Sequence, residues 1–184
     1  IQPDYTYDID FPGANDEPGH REINVDGELH LNGDADSNSG IETIEYNFQE
    51  LIGLIPGEAG DQQPAFNLIT ETQKQRAREI FEIYGQQLGI TFVEHDAPNE
   101  EENDLGFKIV TGDMRALDPT LPIGVGGVLG VAGESMAIMD LQDFQQADDD
   151  RYGGPWFQTA MHEIGHLLGL GHTDELPQVT VMND

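Results

Sequence analysis

The sequence predicts an α+β fold, and three observations carry that prediction. Several short segments alternate or run apolar at strand length, two longer segments place apolar residues at helical spacing, and Gly-, Pro- and acid-rich stretches separate them. A chain of 184 residues is long enough for one domain with a sizeable core. Its apolar fraction of 37% is low but adequate once the loops are set aside.

The elements follow in order. Residues 1–40 read as an N-terminal extension, in which Ile23-Asn24-Val25 and Glu28-Leu29-His30-Leu31 flank Asp26-Gly27, the two-residue turn of a β-hairpin. Thr43 to Phe48 alternates with Ile44, Tyr46 and Phe48 on one face, as a half-buried strand does. Gly53 to Phe66 is rich in Gly, Pro and polar residues and reads as loop. Thr70 and Gln73 form a capping box, after which Ala77, Ile80, Phe81, Tyr84 and Leu88 recur at helical spacing until Gly89 ends the run. Thr91-Phe92-Val93 and Leu105 to Val110 are the next strands, separated by an acidic loop at Glu100, Glu101 and Glu102. Val128 to Ala132 and Ser135 to Met139 are two further short apolar runs around Gly133. A last helix starts near Pro155, a favoured first-turn residue, and its Phe157, Ala160, Met161, Ile164 and Leu168 form a face to bury.

Charge narrows the partners. With 36 acidic and 7 basic residues the formal net charge is −29. Such a surface repels nucleic acid and anionic membranes, favours divalent cations, and suits a salty or extracellular medium where screening limits self-repulsion. The absence of Cys excludes a disulfide framework. No stretch is apolar enough to span a membrane, and the N-terminal residues have no signal-peptide architecture.

Residues 162–172 read His-Glu-Ile-Gly-His-Leu-Leu-Gly-Leu-Gly-His. On a helix, residues four apart share a face, so His162 and His166 present two imidazole nitrogens to one metal ion while Glu163 lies beside them. Gly169 admits a left-handed backbone, ends the helix and swings His172 back as a third ligand. Three protein ligands leave a fourth position for water, whose pKa zinc lowers to roughly 7. Glu163 is then the general base and not a ligand.

His162, Glu163, His166, Gly169 and His172 match the signature of the metzincin zinc endopeptidases, and Met182 within Val179-Thr180-Val181-Met182 resembles that clan's Met-turn. Upstream, Glu42 to Phe48 resembles the first strand, and Thr70 to Glu94 the first helix and second strand, of matrixin-like and serralysin-like catalytic domains. The resemblance covers roughly residues 41–184 and implies a zincin fold: a mixed twisted sheet of about five strands, a packing helix and an active-site helix. It also implies that the run at Gly127, Val128, Leu129 and Gly130 belongs to an antiparallel edge strand that binds extended substrate by strand addition. Met182 would floor the histidines, although ordinary core packing explains it equally well.

The chain departs from its nearest families in several places. Asp184 stands where serralysins and astacins place a Tyr, no Cys supplies a matrixin-type cysteine switch, and Thr111 to Gly127 holds no His for a second zinc. Metzincin domains continue past the Met-turn, so the expectation is a catalytic domain over 41–184 that lacks its C-terminal helix.

A second cation is a further expectation. Asp34, Asp36, Asn38 and Glu45 fall at ligand positions of an EF-hand-like loop, but Ser39 replaces the turn glycine, which leaves a calcium loop of another kind or a plain solvated turn. Asp148-Asp149-Asp150 reads as an exposed charge run, and His20, His30 and His95 as surface residues. Two function classes follow: a secreted zinc endopeptidase acting on proteins or peptides, or a non-catalytic, metal-stabilised extracellular binding or surface module that retains the motif.

Overall fold

The computed structural model describes residues 43–57, 60–95, 106–122, 124–133, 135–146, 148–172 and 181–182. The expected hairpin around Asp26-Gly27, His20, His30 and the acidic loop at Glu100 to Glu102 lie outside the described residues. In chain order the elements are β1 (Thr43–Asn47), β2 (Leu51–Pro56), β3 (Gln62–Phe66), α1 (Glu71–Leu88), β4 (Thr91–Glu94), β5 (Phe107–Gly112), β6 (Gly130–Gly133), β7 (Met136–Asp140) and α2 (Pro155–Leu167), with a 3-10 turn at Met114–Ala116. The fold is the expected α+β arrangement.

Five strands form one sheet in the order β4-β1-β5-β7-β6. Neighbours are parallel except at the edge, where β6 runs antiparallel to β7 and Gly130 pairs with Met139. The central strands β5 and β7 are largely apolar because both their faces are covered. Phe107, Ile109, Ala137 and Met139 point to the helix side, where they pack with Ile80, Phe81, Trp156, Phe157, Ala160 and Ile164. Val110 and Ile138 point to the other side and pack with Ile52, Ala65 and Met114.

That second cluster corrects one expectation. Gly53 to Phe66 is not loop: β2 and β3 form an antiparallel hairpin with a register shift between Leu51 and Gly53. The Gly and Pro residues that signal loop are absorbed by this irregularity, where Gly53 has φ 134°, and by a two-stranded sheet in which Pro64 interrupts no central ladder. The hairpin buries Ile52 and Ala65 as a lid on the outer face of the sheet.

Helix α1 follows its sequence signals closely. Thr70 Oγ1 accepts from the Gln73 amide at 3.1 Å, Gln73 Oε1 accepts from the Thr70 amide at 2.9 Å, and Gly89 closes the helix at φ 72°. Ala77, Ile80 and Phe81 are buried, whereas Leu88 is 49% exposed because the last turn runs beyond the sheet. Two strand boundaries also shift. The strand expected from Leu105 to Val110 is Phe107–Gly112, and the one expected from Val128 to Ala132 begins at Gly130, so Val128 and Leu129 form its approach.

Where α1, β5 and α2 meet, polar side chains interlock. Trp156 Nε1 donates to Thr111 Oγ1 at 2.9 Å, Thr111 Oγ1 donates to Gln73 Oε1 at 3.1 Å, and Gln73 Nε2 donates to Asp150 Oδ1 at 2.8 Å. Asp150 also accepts from Thr70 Oγ1 at 3.2 Å, while Asp149 is buried and accepts from the Gln146 amide at 2.7 Å. The Asp148-Asp149-Asp150 run is therefore not simply an exposed acidic loop; two of its carboxylates bind backbone and capping groups and fix the start of α2.

Candidate metal centre

Helix α2 begins without a side-chain cap, since Gly154 is its N-cap, but Pro155 supplies the pre-set first-turn geometry. Its Trp156, Phe157, Ala160 and Ile164 are buried in the core under the sheet. His162 and His166 share another face. The helix then ends in a Schellman arrangement: the Leu170 amide donates to Gly165 O at 3.0 Å, the Gly169 amide to His166 O at 2.9 Å, and Gly169 takes φ 84°. This reversal brings His172 back to the helix.

Three imidazoles converge as a result. The Nε2 atoms stand 2.9 Å apart for His162 and His166, 3.0 Å for His166 and His172, and 3.1 Å for His162 and His172. His162 Nδ1 lies 2.7 Å from Val181 O, and His166 Nδ1 lies 2.8 Å from Leu170 O. A carbonyl oxygen only accepts, so each of these Nδ1 atoms carries its ring's proton and donates it, which leaves Nε2 with a lone pair in the neutral ring. Lone pairs gathered this closely repel unless a cation stands among them. A tetrahedral ion with Zn–N bonds of 2.0–2.1 Å holds its nitrogens about 3.3 Å apart, close to the observed triangle. The residues present thus fit zinc in donor type, number, tautomer and spacing.

The backbone acceptors Val181 O and Leu170 O are the parts of this site that sequence reasoning missed. They fix which ring nitrogen faces the metal position, and no side-chain pattern signals a carbonyl. Met182, which follows Val181, is buried, and a Cβ placed on Gly165 would stand 2.5 Å from its Sδ and 2.9 Å from Tyr84 Oη. Gly165 therefore lets Met182 close on one side of α2 and Tyr84 on another, with the Tyr84 hydroxyl donating to Met161 O at 2.8 Å.

Glu163 is only 6% exposed. Burial pushes its carboxyl up to about 8. The carboxylate lies against β6: a Cβ on Gly130 would meet Glu163 Oε1 at 2.8 Å. Of the residues expected to contact substrate, Gly130 begins the edge strand and is buried, Val128 and Leu129 are 42% and 45% exposed, and Gly127 lies in the preceding turn. That turn is held by the Gly126 amide, which donates to Asp143 Oδ1 at 2.8 Å. Of the residues expected as a calcium loop, Glu45 lies half-buried in β1, while Asp34, Asp36 and Asn38 lie outside the described residues.

Comparison with known proteins matches residues 61–183 to the family model described as Peptidase_M10: Matrixin. No curated protein matches the chain. Among solved structures, one described as "GM1 bound form of the ECX AB5 holotoxin" aligns over 77% of this chain and 57% of its own, with 16% identity and a TM-score of 0.37.

Proposed function

This chain belongs to the matrixin family, and on that premise we propose that it is a secreted zinc endopeptidase that hydrolyses protein or peptide substrates. The observation that carries the proposal is the convergence of three Nε2 atoms at the helix that also carries the buried Glu163. When bound there, zinc would supply a Lewis acid for the scissile carbonyl and lower the pKa of a water to roughly 7.

The chain's own groups do the rest. His162, His166 and His172 hold the ion, with the first two rings locked by Val181 O and Leu170 O. Glu163 takes a proton from the attacking water and returns it to the leaving amine, so one carboxylate serves both the C–O bond that forms and the C–N bond that breaks. Burial makes Glu163 a stronger base than an exposed glutamate, and a divalent cation beside it favours its ionised form at neutral pH. The outer side of β6 offers edge N–H and C=O groups to an extended peptide, and the exposed Val128 and Leu129 flank it.

Secretion is supported by the formal net charge of −29, and among the described residues no helix is long and apolar enough to cross a membrane. A non-catalytic, metal-stabilised module would need the three histidines but gives no reason to bury Glu163, a placement that costs free energy. The test is to incubate the zinc-loaded chain with a mixed peptide library and to sequence the fragments, with a chelator in parallel. Cleavage that the chelator abolishes supports the endopeptidase. One bound zinc per chain and intact peptides would favour the non-catalytic module.

A further inference from the structure

Gly130 occupies a place in β6 where a side chain would collide with the active-site helix. An added Cβ would come within 2.8 Å of Glu163 Oε1, 2.9 Å of Glu163 Cγ and 2.8 Å of Thr159 Cγ2. Thr159 and Glu163 are one helical turn apart on α2, so both rise from the same face toward this strand. The carbon stem and one oxygen of Glu163 therefore lie along the bare backbone of residue 130. Gly130 is itself fixed: it pairs with Met139 in register, and on its N-terminal side the Asp140 amide donates to Leu129 O at 2.9 Å.

We propose that Gly130 is a positioning residue for the general base. Lacking a side chain, it forms the wall of a seat that holds the Glu163 carboxylate at a set distance from the strand on which substrate is laid. This rests on the endopeptidase reading above, but its content is separate: one position fixes both the edge strand and the carboxylate, so the proton acceptor and the bound peptide share a reference point. The three atoms nearest to such a Cβ all belong to side chains. A methyl at position 130 should therefore push the Glu163 and Thr159 side chains aside, with little change in the backbone. Proton transfer needs the carboxylate within hydrogen-bonding reach, about 2.6–3.2 Å, and a displacement of this kind falls on turnover before it falls on binding.

The experiment is a cycle of Gly130→Ala, Glu163→Ala and the double variant in the full zinc-loaded chain, measuring zinc content and Tm throughout, and kcat and KM in the parent and Gly130→Ala. Gly130→Ala is expected to lower kcat about tenfold with KM and zinc content unchanged. In the Glu163→Ala background, which removes Cγ and the carboxylate and leaves only Thr159 against the new methyl, the same substitution should lower Tm less than it does in the parent. Gly112→Ala, in the central strand β5, serves as control: the atoms nearest its added methyl, Phe66 O at 3.1 Å and Ile52 Cδ1 and Val110 Cγ1 at 3.3 Å, lie outside α2, and kcat should hold.

Unchanged kcat in Gly130→Ala overturns the proposal. So does a Tm loss that persists in full in the Glu163→Ala background, because it would then act through the backbone or Thr159 and not through Glu163. If Gly130→Ala does not fold or loses zinc, recovery in the double variant supports the seat, and failure to recover refutes it. A parent chain with no turnover counts against the endopeptidase reading alone. The seat is then judged from Tm, where a loss in Gly130→Ala that Glu163→Ala relieves supports it and additive losses overturn it.

Discussion

Helix α2 has a polar cluster at each end, and the two are satisfied in different ways. At its start, the polar groups of Trp156, Thr111, Gln73, Thr70 and Asp150 donate to and accept from one another, with Gln73 Oε1 accepting twice, so the cluster is satisfied within the protein. Toward its end, His162 and His166 spend their protons on Val181 O and Leu170 O and turn lone pairs toward one another and toward His172. The first cluster pins the helix to the sheet. The second has the donor type, number and spacing that suit a cation. A buried polar group is thus explained by asking what finishes its hydrogen bonding, and the answer separates scaffold from site.

Substitutions can break this contrast, beginning with the largest effect. His166→Ala should abolish both zinc binding and turnover. In the parent, zinc at about 100 times its Kd should raise stability by about 2.7 kcal/mol, and thermal melts with and without zinc should show no such rise in the variant. Glu163→Gln should retain zinc, measured by metal analysis, while kcat falls about 10²–10⁴-fold. Equal turnover in that variant would show that Glu163 is not the base.

Thr111→Val tests the opposite end. It removes the acceptor of Trp156 Nε1, which is buried, and should cost about 1–3 kcal/mol in urea unfolding with zinc stoichiometry unchanged. A loss of zinc affinity instead would mean that the two clusters are coupled through α2.

The smallest effect lies away from both clusters. The Arg78 guanidinium hydrogen-bonds to Glu94 at 2.6 and 2.8 Å and holds its carboxyl below the usual carboxylate range. A depressed folded pKa stabilises the fold above the unfolded value and loses that stabilisation as pH falls through the folded one. Because the pair is partly exposed, Arg78→Ala should cost under about 1 kcal/mol at pH 7. The difference from the parent should vanish in acid, as followed by denaturant melts across pH.

What the sequence made legible follows from how local the signal is. The grouping of His162, His166 and His172 is set by helix periodicity and one left-handed glycine, both contained within a short run. The caps of α1 are equally local, and they appear at Thr70, Gln73 and Gly89 as expected. β5 and β7 announce themselves as apolar runs because sheet, helix and hairpin bury them on both sides. The β2–β3 hairpin was hidden because its bulge and Pro64 carry loop chemistry, and what makes it a hairpin is a distant partner surface on β5 and β7. Val181 O, Leu170 O and the fit of Gly130 against Glu163 were hidden for a different reason. They are backbone features whose meaning depends on what the fold places opposite them.

The most direct test of the central claim is to titrate the metal-free chain with zinc while following hydrolysis of a cleavable peptide. The account predicts that turnover rises in proportion to zinc and levels off at one ion per chain. Turnover that is indifferent to zinc, or one tightly bound zinc with no hydrolysis at any peptide concentration, would contradict it.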